Sequence, residues 1–185
     1  RYVERCLSLS DDFVQLGRVD ALDAAQFTTV DLVEALRAAL EDAETLAGNK
    51  RIGLALGEVP ERAPAAGVRD LIQRVFANLL SNAVKYSPEG SQVRCSIVRE
   101  DGLWAVTVAD QGQGIAPELL PRLFGRYERL GADRNRRGPQ GAGLGLVFVK
   151  STVDRLGGTI NVQSEPGRGT RFVLRFPVQA AAARA

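Results

Sequence analysis

Histidine is absent from the 185 residues, which excludes Ser-His-Asp triads, imidazole-bound zinc and any acid/base scheme that needs an imidazole. Methionine is absent as well, so Arg1 is not read as a translational start and the chain is expected to be a fragment of something longer. Cysteine is scarce: Cys6 lies on an amphipathic stretch and Cys95 in a strand-like run. Neither has the spacing of a metal site or a disulfide framework, and both are expected to be buried cytosolic thiols. No apolar run approaches the roughly 20 residues of a membrane span, and no signal-peptide pattern opens the chain. Charge of one sign is also lacking. The 24 Lys+Arg against 22 Asp+Glu leave a net +2, too little to argue for nucleic acid as a partner. What is present, 45% hydrophobic and 25% charged residues, is the composition of a folded domain, with room for a small appendage, and excludes disordered, collagen-like and coiled-coil-only chains.

Along the chain, Tyr2, Cys6, Leu9, Phe13 and Leu16 recur at steps of four and three, the seam of a helix packing on partner helices, a reading preferred over a surface helix lying on its own domain. A polar stretch from Arg18 to Gln26 follows. A short strand around Phe27 to Val30 leads to Asp31, a helix N-cap, and the helix runs to about Leu46. Arg51 to Val59 reads as a strand, GEVPERAPAAG as a loop, and Arg69 to Tyr86 as a periodic helix stopped by Ser87-Pro88-Glu89-Gly90. Val93, Cys95 and Ile97, the Asp101-Gly102 turn, then Trp104, Val106 and Val108 form a hairpin. Residues 111–140 are rich in Gly, Pro and Arg and too long for a plain connection, which predicts a functional loop or lid. A last helix runs from about Gly143 to Leu156, with Leu146, Val149, Val153 and Leu156 inward. A second hairpin follows, from Ile160 to Ser164 and from Arg171 to Val178, and the tail is frayed. This order predicts an α+β, two-layer sandwich: a mixed sheet covered on one face by helices and preceded by an N-terminal helix.

Three stretches carry chemistry. On the helix reading NLLSNAVKYS, Asn78, Asn82 and Lys85 fall within roughly 60° of one another, opposite a core stripe that includes Phe76, Leu79 and Leu80. A solvated face is the bland alternative, but amides are poor helix formers and an ordinary wet face would favour Glu, Lys and Arg. In ADQGQGI, Asp110 closes a strand and can accept from a ligand amino group, while Gly112 and Gly114 allow close approach; alone, this pattern is also that of a bare turn. In GPQGAGLGL, Gly141, Gly143 and Gly145 open a helix whose free amides could meet a phosphate. No Walker Lys-Ser/Thr follows and the dinucleotide-fold context is missing, so this string alone decides nothing.

NLLSNAVKYS, DQGQGI, FGRY at Phe124 to Tyr127, GAGLGL, and GRGT at Gly167 to Thr170 occur together and in this order. The set resembles the catalytic ATP-binding domain of sensor histidine kinases, the Bergerat-fold superfamily shared with gyrase and MutL, over roughly residues 27–178. The resemblance implies ATP and Mg²⁺ as ligands. Asn82 would bind the metal, with Asn78 nearby, and Lys85 would reach the phosphates. Tyr86 would pack near the base or ribose. Asp110 would accept from the adenine amino group, in a pocket shaped by Gly112, Gly114 and Ile115 and closed by Thr170. Phe124, Arg126 and Tyr127 would anchor the lid, and Gln140, Gly141, Gly143, Leu144, Gly145 and Leu146 would line the phosphates. Catalysis is assigned to Lys85, Asn78 and Arg126. For Arg134, Arg136 and Arg137 in the same lid, electrostatic attraction of the triphosphate stands beside the plainer reading of a solvated loop.

The same resemblance makes residues 1–26 the second helix of a dimerisation hairpin and its linker, residues 27–178 the ATP-binding domain and residues 179–185 a tail. The implied partners are a histidine-bearing dimerisation helix of the same protein, a second copy in a homodimer, and a response regulator. The implied location is the bacterial cytoplasm, the parent protein being anchored to the inner membrane in many of the family. In ATP-hydrolysing relatives, the residue four before the metal-binding Asn is a Glu that activates water. Asn78 holds that position here, and an amide takes no proton at neutral pH, so transfer to an external nucleophile is favoured over hydrolysis. Val68 stands where an acid often caps the motif helix. The rival readings are an ATPase of the gyrase or MutL kind and a degenerate regulatory module that binds nucleotide or a partner without kinase activity.

Overall fold

Asp31 shows how local sequence builds the first corner of this fold, seen in a computed structural model that describes residues 13–125 and 144–179. Its side chain is buried, and Oδ1 accepts from Val33 N and Ala63 N, both at 3.0 Å, while Arg62 Nε donates to Oδ2 at 3.2 Å. One carboxylate thus caps helix α2 (Leu32–Gly48), ends strand β1 (Thr28–Asp31) and fixes the approach to strand β3 (Pro64–Gly67). β1 and β3 pair antiparallel as a separate ribbon. The expected loop GEVPERAPAAG therefore contains a strand. Its sequence, PAAG, has no β-branched or aromatic residue; β1 and the Trp104 indole, which donates to Pro64 O at 3.0 Å, supply its support instead.

The main sheet runs β2-β4-β5-β7-β6: β2 (Gly53–Leu56), β4 (Gln92–Glu100), β5 (Leu103–Ala109), β7 (Gly169–Pro177) and β6 (Thr159–Glu165). β2 pairs parallel with β4 and the other neighbours are antiparallel, giving the expected mixed sheet. α2, α3 (Arg69–Tyr86) and α4 (Gly145–Arg155) pack together over it. Phe76, Leu79 and Leu80 meet Ile97, Leu174 and Phe176 in one core, and all are fully buried. Truncating any of them should cost about 2–5 kcal/mol. The expected bounds of α3 coincide with the observed ones, and Val68 indeed makes no side-chain cap.

Helix α1, residues 13–20, lies against the same body. Leu16 and Val19 join the core, whereas Phe13 is 49% and Val14 58% exposed. The proposed seam thus divides within its described part, Leu16 turning to its own domain, and Val19 is buried inside a stretch whose sequence reads as polar. Tyr2, Cys6 and Leu9 lie outside the described residues. Cys95 is the buried thiol expected, and burial pushes it up to about 12.

Candidate nucleotide site

The polar stripe of α3 faces α4. Asn78 is half-buried, its Nδ2 donating to Arg74 O at 2.9 Å, while its Oδ1 lies against Gly145: a Cβ there would come within 2.6 Å. Asn82, one turn on, is also half-buried, and its amide has no partner among the described residues. Lys85 folds onto its neighbour, with Nζ 2.8 Å from the Tyr86 hydroxyl and 4.5 Å from the ring centroid.

The end of α3 is held by a residue the sequence reading passed over. Lys50 Nζ donates to the carbonyls of Val84 (2.8 Å), Lys85 (3.0 Å) and Ser87 (2.7 Å), placing a cation on the negative end of the helix. Three ammonium protons meet three acceptors, so Lys50 has no donor left for a ligand although it lines the cleft. That cleft, about 440 Å³, is bordered by Lys50, Lys85, Tyr86, Gln111, Gly112 and Gln113. Asp110, Thr170 and Asn82 are not among the residues that line it.

Asp110 follows β5, its amide donating to Thr170 O at 2.9 Å. Its Oδ1 accepts from Gly112 N (2.8 Å) and Thr170 N (3.1 Å), and no donor among the described residues reaches Oδ2. Burial raises the carboxyl above its ordinary value, and the amides of Gly112 and Thr170 oppose the rise without cancelling it. Gln113 N reaches Tyr86 O at 3.3 Å and so joins this turn to α3. Gly114 has φ +69, and a Cβ there would lie 1.9 Å from Glu165 O; at Gly169, φ +87, it would lie 2.0 Å from Asp110 O. Both positions exclude side chains on conformation and on space.

Thr170 is buried, and its neighbour across the hairpin register is Ser164, a second residue the sequence reading missed. Ser164 Oγ accepts from Ile115 N at 2.8 Å, donates to Gly169 O at 2.9 Å and lies 2.9 Å from Thr170 Oγ1. The signal was available: a hairpin closed by Glu165 to Gly169 must set residue 164 opposite residue 170.

Leu144 is buried at the start of α4 and provides no side-chain cap, so the first amides of this helix have no intrahelical partner. Gly145 and Leu146 are half-buried, and Leu146 packs on the core, as do Ile115 and Phe124. The expected sites Arg126, Tyr127, Gln140, Gly141 and Gly143, with Arg134, Arg136 and Arg137, lie outside the described residues. The structure thus lines up an acceptor turn at Asp110, a cation at Lys85, and amides at Asn82 and at the α4 start. From Asn78 to Tyr86 the stripe spans about 12 Å. Such an arrangement can take a ligand with hydrogen-bond donors at one end and anionic oxygens at the other.

Residues 67–180 match the family of histidine kinase-, DNA gyrase B-, and HSP90-like ATPases. Among curated proteins, the sensor histidine kinase CusS of Escherichia coli K12 is 45% identical over 127 residues, 68% of this chain and 26% of CusS. The sensor-like histidine kinase SenX3 of Mycobacterium tuberculosis H37Rv is 35% identical over 185 residues, 96% of this chain and 45% of SenX3. The chain therefore spans less than half the length of either relative. Among solved structures, full-length ShkA in complex with AMPPNP gives a TM-score of 0.81 at 29% identity, covering 96% of this chain and 37% of ShkA. The mycobacterial sensor histidine kinase MprB gives 0.72 at 26% identity, covering 84% of this chain and 99% of that one.

Proposed function

This chain belongs to the histidine kinase-, DNA gyrase B-, and HSP90-like ATPase family, and from that premise we propose that it is the catalytic domain of a two-component sensor histidine kinase. It binds Mg-ATP and delivers the γ-phosphoryl group to a histidine on a dimerisation helix of the same protein, for onward passage to a response regulator. The observation that carries the reading is the Asp110 carboxylate, fixed through one oxygen by the Gly112 and Thr170 amides and, among the described residues, without a donor at the other. Oδ2 accepts from the adenine amino group, with Gly112, Gly114 and Ile115 forming the wall and Tyr86 packing beside it.

Phosphoryl transfer demands positioning and charge neutralisation more than a base, because its transition state is loose. Lys85 leaves Tyr86 to meet the phosphates, and the α4 amides from Leu144 onward hold their oxygens. The donor set suits Mg²⁺: Asn82 offers an amide oxygen with no partner among the described residues, a hard ligand to complement phosphate and water. When bound, Mg²⁺ neutralises charge on the phosphates. Asn78, tied to Arg74 O and pressed on Gly145, steadies α3 against the start of α4 and cannot serve as a base for water. In the whole protein the domain works in the bacterial cytoplasm as part of a homodimer. No helix among the described residues is long and apolar enough to cross a membrane.

The test is calorimetric titration with ADP and a non-hydrolysable ATP analogue in Mg²⁺. One-to-one binding is expected for the wild type and a loss of tenfold or more, about one charge-assisted hydrogen bond, for Asp110→Asn. A histidine-bearing hairpin supplied in trans should then become phosphorylated. No binding by folded protein would transfer the weight to a non-catalytic interaction module.

A further inference from the structure

Resting on the adenine-nucleotide reading above, we propose that Ser164 determines base specificity by locking the Thr170 hydroxyl as an acceptor. Ser164 Oγ has three polar neighbours: Ile115 N at 2.8 Å, Gly169 O at 2.9 Å and Thr170 Oγ1 at 2.9 Å. The amide can only donate and the carbonyl can only accept, while serine carries one proton. All three contacts are hydrogen bonds in a single arrangement, in which Ser164 donates to Gly169 O and Thr170 donates to Ser164. The one proton of Thr170 is then committed, and its hydroxyl offers the site lone pairs alone.

Beside it stands Asp110, whose Oδ1 takes the Thr170 amide and whose Oδ2 has no donor among the described residues. The pair formed by Asp110 Oδ2 and Thr170 Oγ1 is thereby acceptor beside acceptor. A base with an amino group facing this pair donates into it, directly or through a water that donates to Thr170. A base with a carbonyl in place of that amino group presents a third acceptor and is repelled. Removing the Ser164 hydroxyl frees the Thr170 proton to turn and donate, which relieves the penalty on the carbonyl base. Ser164 touches no base atom in this scheme; it is a positioning residue acting through Thr170.

The experiment is titration of the full chain and of Ser164→Ala and Ser164→Thr with Mg-ADP and Mg-IDP, which differ at this amino or carbonyl position and in the proton that IDP carries on the adjacent ring nitrogen. The wild type is expected to prefer ADP by about tenfold or more, and Ser164→Ala to lower that ratio about threefold to tenfold, the worth of one neutral hydrogen bond. Ser164→Thr, which keeps a hydroxyl, should restore it. A merely structural serine would weaken both diphosphates alike, so an unchanged ratio in Ser164→Ala, or a lost ratio that Ser164→Thr does not recover, overturns the proposal. If the wild type binds neither diphosphate, the nucleotide reading falls and the specificity role with it. The wiring is judged separately in ligand-free protein by NMR: the Thr170 hydroxyl proton is expected to be protected from exchange and to lose that protection in Ser164→Ala. An unprotected proton in the wild type overturns the proposal as well.

Discussion

At Asp110, stability and function pull in opposite directions. Burial lifts its carboxyl above the ordinary range even though two backbone amides stabilise the charge. A folded-state value raised above the unfolded one contributes stability that is fully present below the unfolded value and is lost as pH rises through the folded one. Nucleotide affinity in the proposed site has the reverse sign, because Oδ2 must be ionised to accept well. ADP affinity is therefore expected to fall on acidification at a pH higher than an unperturbed aspartate would give. Titrations at a series of pH values check this, and a profile flat to the ordinary aspartate range would exclude Asp110 as the acceptor. At neutral pH, Asp110→Asn should leave the ligand-free fold as stable or more stable in urea while binding is lost. Gly114 argues the complementary case. A Cβ would sit 1.9 Å from Glu165 O at a φ of +69, so Gly114→Ala should lower unfolding free energy by about 2 kcal/mol or more, read by urea denaturation. The glycines and Asp110 were legible in the sequence because motif spacing records contacts that side chains cannot share. Lys50 was not, since a lysine in a turn acquires meaning only from what the fold brings to it, and Ser164 was legible only through its hairpin register opposite Thr170.

Elements were legible where their own pattern sufficed. α3 and the β4–β5 and β6–β7 hairpins carry clear 3.6- or 2-residue periodicity with turn residues between them, and each formed about where expected. β3 carries no such pattern, and its pairing depends on β1 and on Trp104, one of them 40 residues away. The end of α3 shows the same dependence. Its last carbonyls are satisfied from the turn after α2, through Lys50. Lys50→Met should cost about 2–3 kcal/mol by urea denaturation, since it strips a cation from three converging carbonyls. Lys50→Arg should recover little, because a planar guanidinium cannot aim three protons at one convergent set. The same Lys50→Met variant should weaken ADP binding more than the core variant Leu80→Ala, whose side chain is buried on the face of α3 opposite the polar stripe. If the two variants weaken binding equally, the local anchoring of the end of α3 by Lys50 contributes nothing beyond stability.

Across the whole molecule, the question is how α1 is coupled to the domain that follows it. Two apolar anchors, Leu16 and Val19, enter the core. Arg155, in the last turn of α4, donates through Nε to Val19 O at 3.2 Å and through its terminal nitrogen to Asp20 O. These carbonyls belong to the last turn of α1; Val19 O also accepts from Leu22 N at 3.2 Å, and the guanidinium ties the turn to α4. One guanidinium therefore closes the end of α1 while projecting from the helix whose opposite end, at Leu144, borders the proposed phosphate site. The described contacts make α1 part of the body rather than a free arm, but the polar half of the attachment rests on a single side chain. Arg155→Ala should cost the fold only about 1–2 kcal/mol, because the bonds are half-exposed and water can replace the guanidinium. Its effect should be local instead. Hydrogen exchange is expected to accelerate across residues 16–22, while β4, β5 and β7 keep wild-type protection, as befits a segment that can open without the core. If exchange rises uniformly through the sheet, Arg155 supports the global fold and α1 is not separately releasable. If residues 16–22 stay protected, Leu16 and Val19 alone hold the helix down.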